Sequence, residues 1–237
     1  MENFNFENRI LVSITGETSL DWKEKLDEIN KLGLKSVAVF LERFDKKERD
    51  NFYRLLRKSS ITSVPFIHLR DDIEKDEIEF FINEYGTRHF NIHEDHFDTL
   101  EEKWRGCWDK IYLEMNFDNQ IDKAVRVKKI GGFCIDLSHF KAAISRGTEE
   151  AYYVFLNSSG SGKGESVIGC NHLAGYNSGK RQDKHIVSGI KDFDYLVTLP
   201  KYVFSKIIAI EVDNSISEQL MFKDHLVKIL NDYFLER

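Results

Sequence analysis

Gly132–Leu137 reads GFCIDL, with Ser138 and His139 directly after it. It is a short apolar run that ends on a carboxylate, with an imidazole three residues beyond Asp136. Aromatic and β-branched residues in so short a stretch predict a buried strand. A lone ionised group at the end of such a strand is costly to bury. The same figure recurs along the chain. His68 follows VPFI, His93 follows HFNI, Glu114 follows IYL, His172 follows VIGCN and Glu211 sits in IIAIEV.

Working outward, short apolar strands alternate with amphipathic helices. The strands are expected at Ile10–Ile14, Ser36–Leu41, Val64–Leu69, His89–Ile92, Ile111–Leu113, Gly132–Leu137, Val167–Asn171 and Ile207–Val212. Helices are expected at Asp21–Leu32, Lys46–Lys58, Glu74–Tyr85, Leu100–Trp104, Gln120–Lys129, from near His139, and at Ser215–Phe234. Gly33 and Gly86 stand where the first and third of these stop. Alternation of this kind predicts parallel pairing, and eight strands predict a single (β/α)8 TIM barrel over residues 1–237. The length of 237 residues fits, since such barrels run to ~250 residues. The alternative is an open doubly wound sheet.

Composition narrows the function. Hydrophobic residues make up 41% and charged residues 31%, which predicts a soluble globular protein. A net charge of −6 lacks the bulk basic signature of a non-specific nucleic-acid binder. Cys107, Cys134 and Cys170 form no CxxC, so buried free thiols and a cytoplasmic location are expected. No signal peptide and no membrane span are expected. Gly160–Gly164 (GSGKG) lacks the spacing and the hydroxyl of a phosphate loop and reads as a flexible surface loop. No GxSxG elbow is present.

In a β/α barrel, chemistry gathers at the C-terminal ends of the strands. Taken singly, a strand-end histidine is more often a hydrogen-bonded core residue than a ligand. Repetition on six strands points instead to a metal site built from His68, His93, Glu114, Asp136, His139, His172, Asp183, His185 and Glu211. His93 and His96 lie three apart in HEDH, and either suits the fourth strand; the earlier residue, His93, is preferred. His89, at a strand start, and His225, in the last helix, are expected to be structural.

Two segments carry a resemblance. CIDLSH (Cys134–His139) and NHLAGYNSGKRQDKH (Asn171–His185) resemble endonuclease IV, the second family of apurinic/apyrimidinic endonucleases, within the xylose-isomerase-like barrel superfamily. The likeness runs across the whole barrel and is tight in these segments. The loop before Asp183–Lys184–His185 is slightly shorter than the family's, and Ile186–Gly189 (IVSG) resembles the glycine-bearing stretch that follows it.

The resemblance implies a hydrolase of phosphodiesters with up to three zinc ions and damaged DNA as its partner. His68, His93 and Glu114 would hold the first ion. Glu114 would bridge to a second, completed by Asp136, His172 and Glu211, and His139, Asp183 and His185 would hold the third. Sugar isomerases and epimerases of the same superfamily need only Glu114, Asp136, His172 and Glu211. They take one Mn²⁺ or Mg²⁺ and a small sugar or phosphorylated substrate. There Glu114 and Glu211 would be the catalytic acid/base pair. A metal-stabilised binding module without turnover is a third reading. Candidate substrate-binding cations near the mouth are Arg43, Arg70, Lys180, Arg181 and Lys184. Glu42, Asp45, Asp71, Asp72, Glu94 and Asp95 oppose them, which weighs against a polyanionic duplex.

Overall fold

The computed structural model describes residues 5–16, 21–93, 104, 106–114, 130–147 and 168–235. Most of the helix expected near 100–104, the helix at 120–129, the Ser/Gly stretch at 157–164, and Glu94, Asp95 and His96 lie outside these residues.

Two short strands, β1 (Ile10–Leu11) and β2 (Ser13–Ile14), replace the single expected first strand. They are followed by α1 (Asp21–Leu32), β3 (Ala38–Phe40), α2 (Lys46–Leu56), β4 (Phe66–His68), α3 (Lys75–Tyr85), β5 (His89–His93) and β6 (Ile111–Glu114). Next come β7 (Gly132–Asp136), α4 (Leu137–Arg146) and β8 (Ile168–Leu173). A hairpin of β9 (Gly175–Asn177) and β10 (Gln182–Lys184) precedes 3-10 segments at Ile190–Thr198 and Lys201–Val203, then β11 (Ile208–Ile210) and α5 (Ile216–Leu235).

The main sheet has nine strands in the order β1-β11-β8-β7-β6-β5-β4-β3-β2, all parallel. Only Val12 separates β1 from β2, yet these strands stand at opposite ends of that order. The sheet is therefore a nearly closed barrel of TIM-barrel type and not an open doubly wound sheet. The seam is tied from outside. Gln219 of α5, fully buried, accepts from Ser13 N at 2.8 Å and donates to Ser13 O at 3.1 Å.

Side chains two apart on a strand share a face. The pairs Phe66/His68, Tyr112/Glu114, Cys134/Asp136, Cys170/His172 and Ala209/Glu211 thus put one kind of layer beneath another. Leu11, Ala38, Phe40, Phe66, Cys134, Cys170 and Ala209 pack into an apolar cluster under the ligand-type residues. The larger core fills the space between barrel and helices, from Phe6, Trp22 and Phe52 to Phe222 and Leu230. Gly169 shows how tight the packing is, because a Cβ there would stand 1.9 Å from the Tyr112 ring. Cys107, Cys134 and Cys170 are buried and free.

Candidate metal centre

Asp136 shows how local structure aims a ligand. It ends β7 and is the N-cap of α4, which starts at Leu137, two residues before the expected position. Its Oδ1 accepts from the backbone N–H of Ser138 at 2.7 Å and of His139 at 3.0 Å, and from the Ser138 hydroxyl. These bonds satisfy the first turn of the helix and use up one carboxylate oxygen. The other, Oδ2, is buried and makes no hydrogen bond among the described residues. The capping geometry also starts α4 so that His139 turns back over the same site.

Glu114, at the end of β6, is the hub, with 1% of its surface exposed. Four nitrogens surround its Oε2: His68 Nε2 at 2.9 Å, His172 Nε2 at 3.0 Å, His93 Nε2 at 3.4 Å and Asn91 Nδ2 at 2.8 Å. On its far side, His172 Nδ1 lies 2.7 Å from Glu211 Oε2 and 3.4 Å from Asp136 Oδ2, without the alignment of a hydrogen bond. His139 Nδ1 is 3.6 Å from Asp136 Oδ2, and its Nε2 is 3.6 Å from Asp183 Oδ1. Asp183 Oδ2 is 2.9 Å from His185 Nε2. All nine ligand-type residues thus join in one run of contacts.

Donor chemistry fits divalent ions. Three sets place their ligand atoms within 4.8 Å of one another: His68/Glu114/His172, Glu114/Asp136/His139 and Asp136/His172/Glu211. Glu114, Asp136 and His172 each belong to two sets, so they suit shared or adjacent ions. His68 Nδ1 faces the Leu69 carbonyl at 3.1 Å. A neutral imidazole has one N–H, and donation there turns the Nε2 lone pair toward Glu114, an arrangement that a cation between them would reconcile.

The cluster perturbs its own titration. Burial pushes His172 down, but Glu114, Glu211 and Asp136 outweigh it and hold the imidazole well above its ordinary value. Burial also opposes charge on His93, His139 and His185, and again the carboxylates win. Glu114 lifts His93 to about 9, Asp136 and Asp183 lift His139 to about 10, and Asp183 and Glu211 lift His185 to about 9. Conversely, burial alone would raise Glu114, but His172 and His93 hold it well below the usual carboxylate range. Hydrogen bonding to His139 and His185 depresses Asp183.

A cavity of about 180 Å³ opens over the cluster. His68, His93, Glu114, Asp136, His139, His185 and Glu211 line it, together with Thr15, Glu42, Arg43 and Asp213. The expected substrate cations lie differently. Arg70 lines an adjoining cavity, its Nε 3.4 Å from Asp72 Oδ1 and 3.7 Å from Asp71 Oδ1. Lys180 and Arg181 occupy the exposed turn between β9 and β10, and an Arg181 guanidinium N–H reaches the Ser145 carbonyl at 3.3 Å. Lys184 Nζ bonds Ser188 and Asp192, both at 2.8 Å. None of these three lines either cavity.

His89 stacks on Tyr112 at the start of β5, and His225 of α5 lies 3.5 Å from Asp194. Sequence reading passed over Asn91 and Phe40. Asn91 is an amide in mid-strand beneath Glu114, and Phe40 stacks on His68 and meets His172 edge-on. Neither is a ligand type. The signal for Asn91 was its polarity inside the apolar run HFNI.

No protein-family model matches the chain, and no curated protein matches it.

Proposed function

We propose that this chain is a (β/α)8 barrel of the xylose-isomerase-like type that hydrolyses phosphodiesters with divalent ions, up to three zinc ions, held at its mouth. The observation that carries the reading is the unbroken run of nine ligand-type side chains from His93 through Glu114, His172, Asp136 and His139 to His185, with Glu114 and Asp136 each shared between sets. One ion needs about four ligands; nine that overlap in this way suit a multinuclear site. His68, His93 and Glu114 would hold one ion. Glu114, Asp136, His172 and Glu211 would hold a second, and His139, Asp183 and His185 a third.

Bound divalent ions supply Lewis acidity that activates water near neutral pH and neutralises phosphoryl oxygens. The chain's own groups do the rest. Glu114, packed among three imidazoles and Asn91, fixes the spacing of the ligands. Glu211 faces the cavity, and the carboxylate oxygen it does not give to an ion would relay a proton of the attacking water to the departing alkoxide. Asp136, its Oδ1 locked as a helix cap, presents Oδ2 in one orientation. Phe40 and the apolar layer below keep bulk water from the underside of the site.

The single-ion isomerase reading uses only Glu114, Asp136, His172 and Glu211, and the acidic residues Glu42 and Asp213 on the cavity wall favour it. Elemental analysis of the purified protein separates the two. About three zinc ions per chain support phosphodiester hydrolysis, and one Mn²⁺ or Mg²⁺ supports isomerisation. Under the first reading, hydrolysis of bis(4-nitrophenyl) phosphate disappears on chelation and returns with zinc. Free buried cysteines suit a cytoplasmic setting, and no helix among the described residues is long and apolar enough to cross a membrane.

A further inference from the structure

We infer that the substrate is a small phosphodiester whose organic part carries hydrogen-bond donors, hydroxyl or ammonium groups, and not a nucleic-acid duplex. This inference rests on the phosphodiesterase reading and names the substrate class of the same site.

The first argument is charge at the mouth. Duplex binding is built on several Lys and Arg contacts to phosphates. Among the described residues, the loops after β3 and β4 offer Arg43 and Arg70, set among Glu42, Asp45, Asp71, Asp72 and Glu74. Arg70 is already engaged by Asp71 and Asp72. The three cations of the β9–β10 hairpin line neither cavity, and Lys184 is committed to Asp192. Among the described residues these two loops carry more acidic than basic groups and offer a polyanion few contacts.

The second argument is space. The cavity above the cluster holds about 180 Å³. At ~30 Å³ per water that is room for about six waters. An adjoining cavity of about 260 Å³ shares Glu42, His68 and His93 with it. Together they fall in the range of small-molecule pockets, ~300–1,000 Å³.

The third argument is the pattern of polar groups. The floor gathers the imidazoles and the unbonded, buried Oδ2 of Asp136, a group that needs a cationic partner. The same cavity is lined by Glu42, Arg43 and Asp213, with the Thr15 hydroxyl bonded to Asp213 at 3.0 Å. Carboxylates accept hydrogen bonds and cannot donate them when ionised. Glu42 and Asp213 therefore favour donors on the organic part of a substrate whose phosphate lies over the ligand cluster. In the reaction, the oxygen of water bonds to phosphorus and one P–O ester bond breaks. The departing alkoxide takes one proton of that water, and the other leaves from the phosphomonoester.

The test uses the metal-loaded protein and three probes at physiological salt: bis(4-nitrophenyl) phosphate, glycerophosphoethanolamine, and a fluorescein-labelled duplex with one abasic site. Glycerophosphoethanolamine carries both hydroxyl and ammonium donors and is expected to be hydrolysed with kcat/KM at least about tenfold above the duplex. Duplex anisotropy, read separately in chelator and with metal, is expected to stay flat through about 10 μM protein. Glu42→Gln is expected to reduce kcat/KM for glycerophosphoethanolamine about fivefold more than for bis(4-nitrophenyl) phosphate. Faster duplex cleavage, or tight duplex binding, would overturn the inference and leave the phosphodiesterase reading in place. Turnover of bis(4-nitrophenyl) phosphate without glycerophosphoethanolamine would do the same. A loaded protein that cleaves none of the three overturns the reading, and the inference with it.

Discussion

Two buried charge clusters in this molecule are built on opposite terms. In the first, Arg49 of α2 is fully buried and fully bonded. Its guanidinium grips both oxygens of Glu77, at 2.9 and 3.1 Å, and reaches Asp72 Oδ1 at 2.7 Å and the Phe44 carbonyl at 2.9 Å. Tyr53 donates to Glu77 at 2.8 Å. In the second, Glu114 collects three imidazoles, while the Asp136 Oδ2 beside it makes no hydrogen bond among the described residues, and His172 Nδ1 faces two carboxylates out of alignment. The first cluster closes on protein groups alone. The second has more acceptors than well-placed donors, and a cation is what such a surplus calls for.

The largest expected effect comes from breaking the closed cluster. Arg49→Leu leaves Glu77 buried and unpaired, which costs ~3–5 kcal/mol. The loss, read by urea unfolding, is expected to be the same with chelator or with zinc. A loss under ~1 kcal/mol would mean that Glu77 finds other partners or protonates cheaply.

Removing metal is the matching experiment on the open cluster. A ligand at 100 times its Kd stabilises the folded state by ~2.7 kcal/mol, so chelation is expected to lower the unfolding midpoint by the corresponding amount. Midpoints that coincide with and without chelator would show that the second cluster, like the first, is complete on its own.

Much of this arrangement can be read from the chain, and the reason is physical. Residues such as His68, Glu114 and Glu211 stand out because each interrupts an apolar strand at the same end, and strand period then gives them one face. The break at Val12 is invisible in ILVSI, because it arises where one strand serves two neighbours, β11 and β3, at the barrel seam. The hairpin at Gly175–Lys184 and the 3-10 segments after it carry no strong period, so the sequence predicts no element there. Lys180, Arg181 and Lys184 are close in sequence to Asp183 and His185, but the first two sit in the turn of the hairpin and Lys184 alternates in face with its two neighbours. Asn91 was missed because amides are poor metal ligands, and its role depends on lying beneath Glu114.

Asn91 sharpens the comparison next. It donates to the hub oxygen at 2.8 Å, and its own Oδ1 has no hydrogen-bond partner among the described residues. Groups that orient a ligand typically contribute 10–100-fold to metal affinity. Asn91→Ala is expected to weaken zinc binding by about that factor, ~1.4–2.8 kcal/mol, while Arg49 and its partners keep the chelated protein folded. Zinc titration monitored by calorimetry reads the effect, and unchanged affinity would reduce Asn91 to a packing residue.

The last effect is a slope, and it separates the clusters by sign. A histidine whose folded value exceeds its ordinary 6.5 binds its proton more tightly in the folded protein. Its contribution is complete below pH 6.5 and is lost as pH rises through the folded value, about 9 for His93 and His185 and about 10 for His139. Chelated protein is therefore expected to lose stability from pH 6.5 upward. Zinc-loaded protein is expected to tilt the other way, because ligands bind as neutral imidazoles and metal affinity climbs with pH. Glu77 works at the acid end. Burial raises its carboxyl, but Arg49 and Tyr53 hold it below 4.5, so its contribution is present above that value and is lost as pH falls through the lowered one. Urea midpoints at several pH values between 6.5 and 9, in chelator and in zinc, read the histidine slopes, and midpoints taken below pH 4.5 read Glu77. Parallel curves would mean that the imidazoles and carboxylates answer only to each other, and no cation would then be needed to complete the mouth of the barrel.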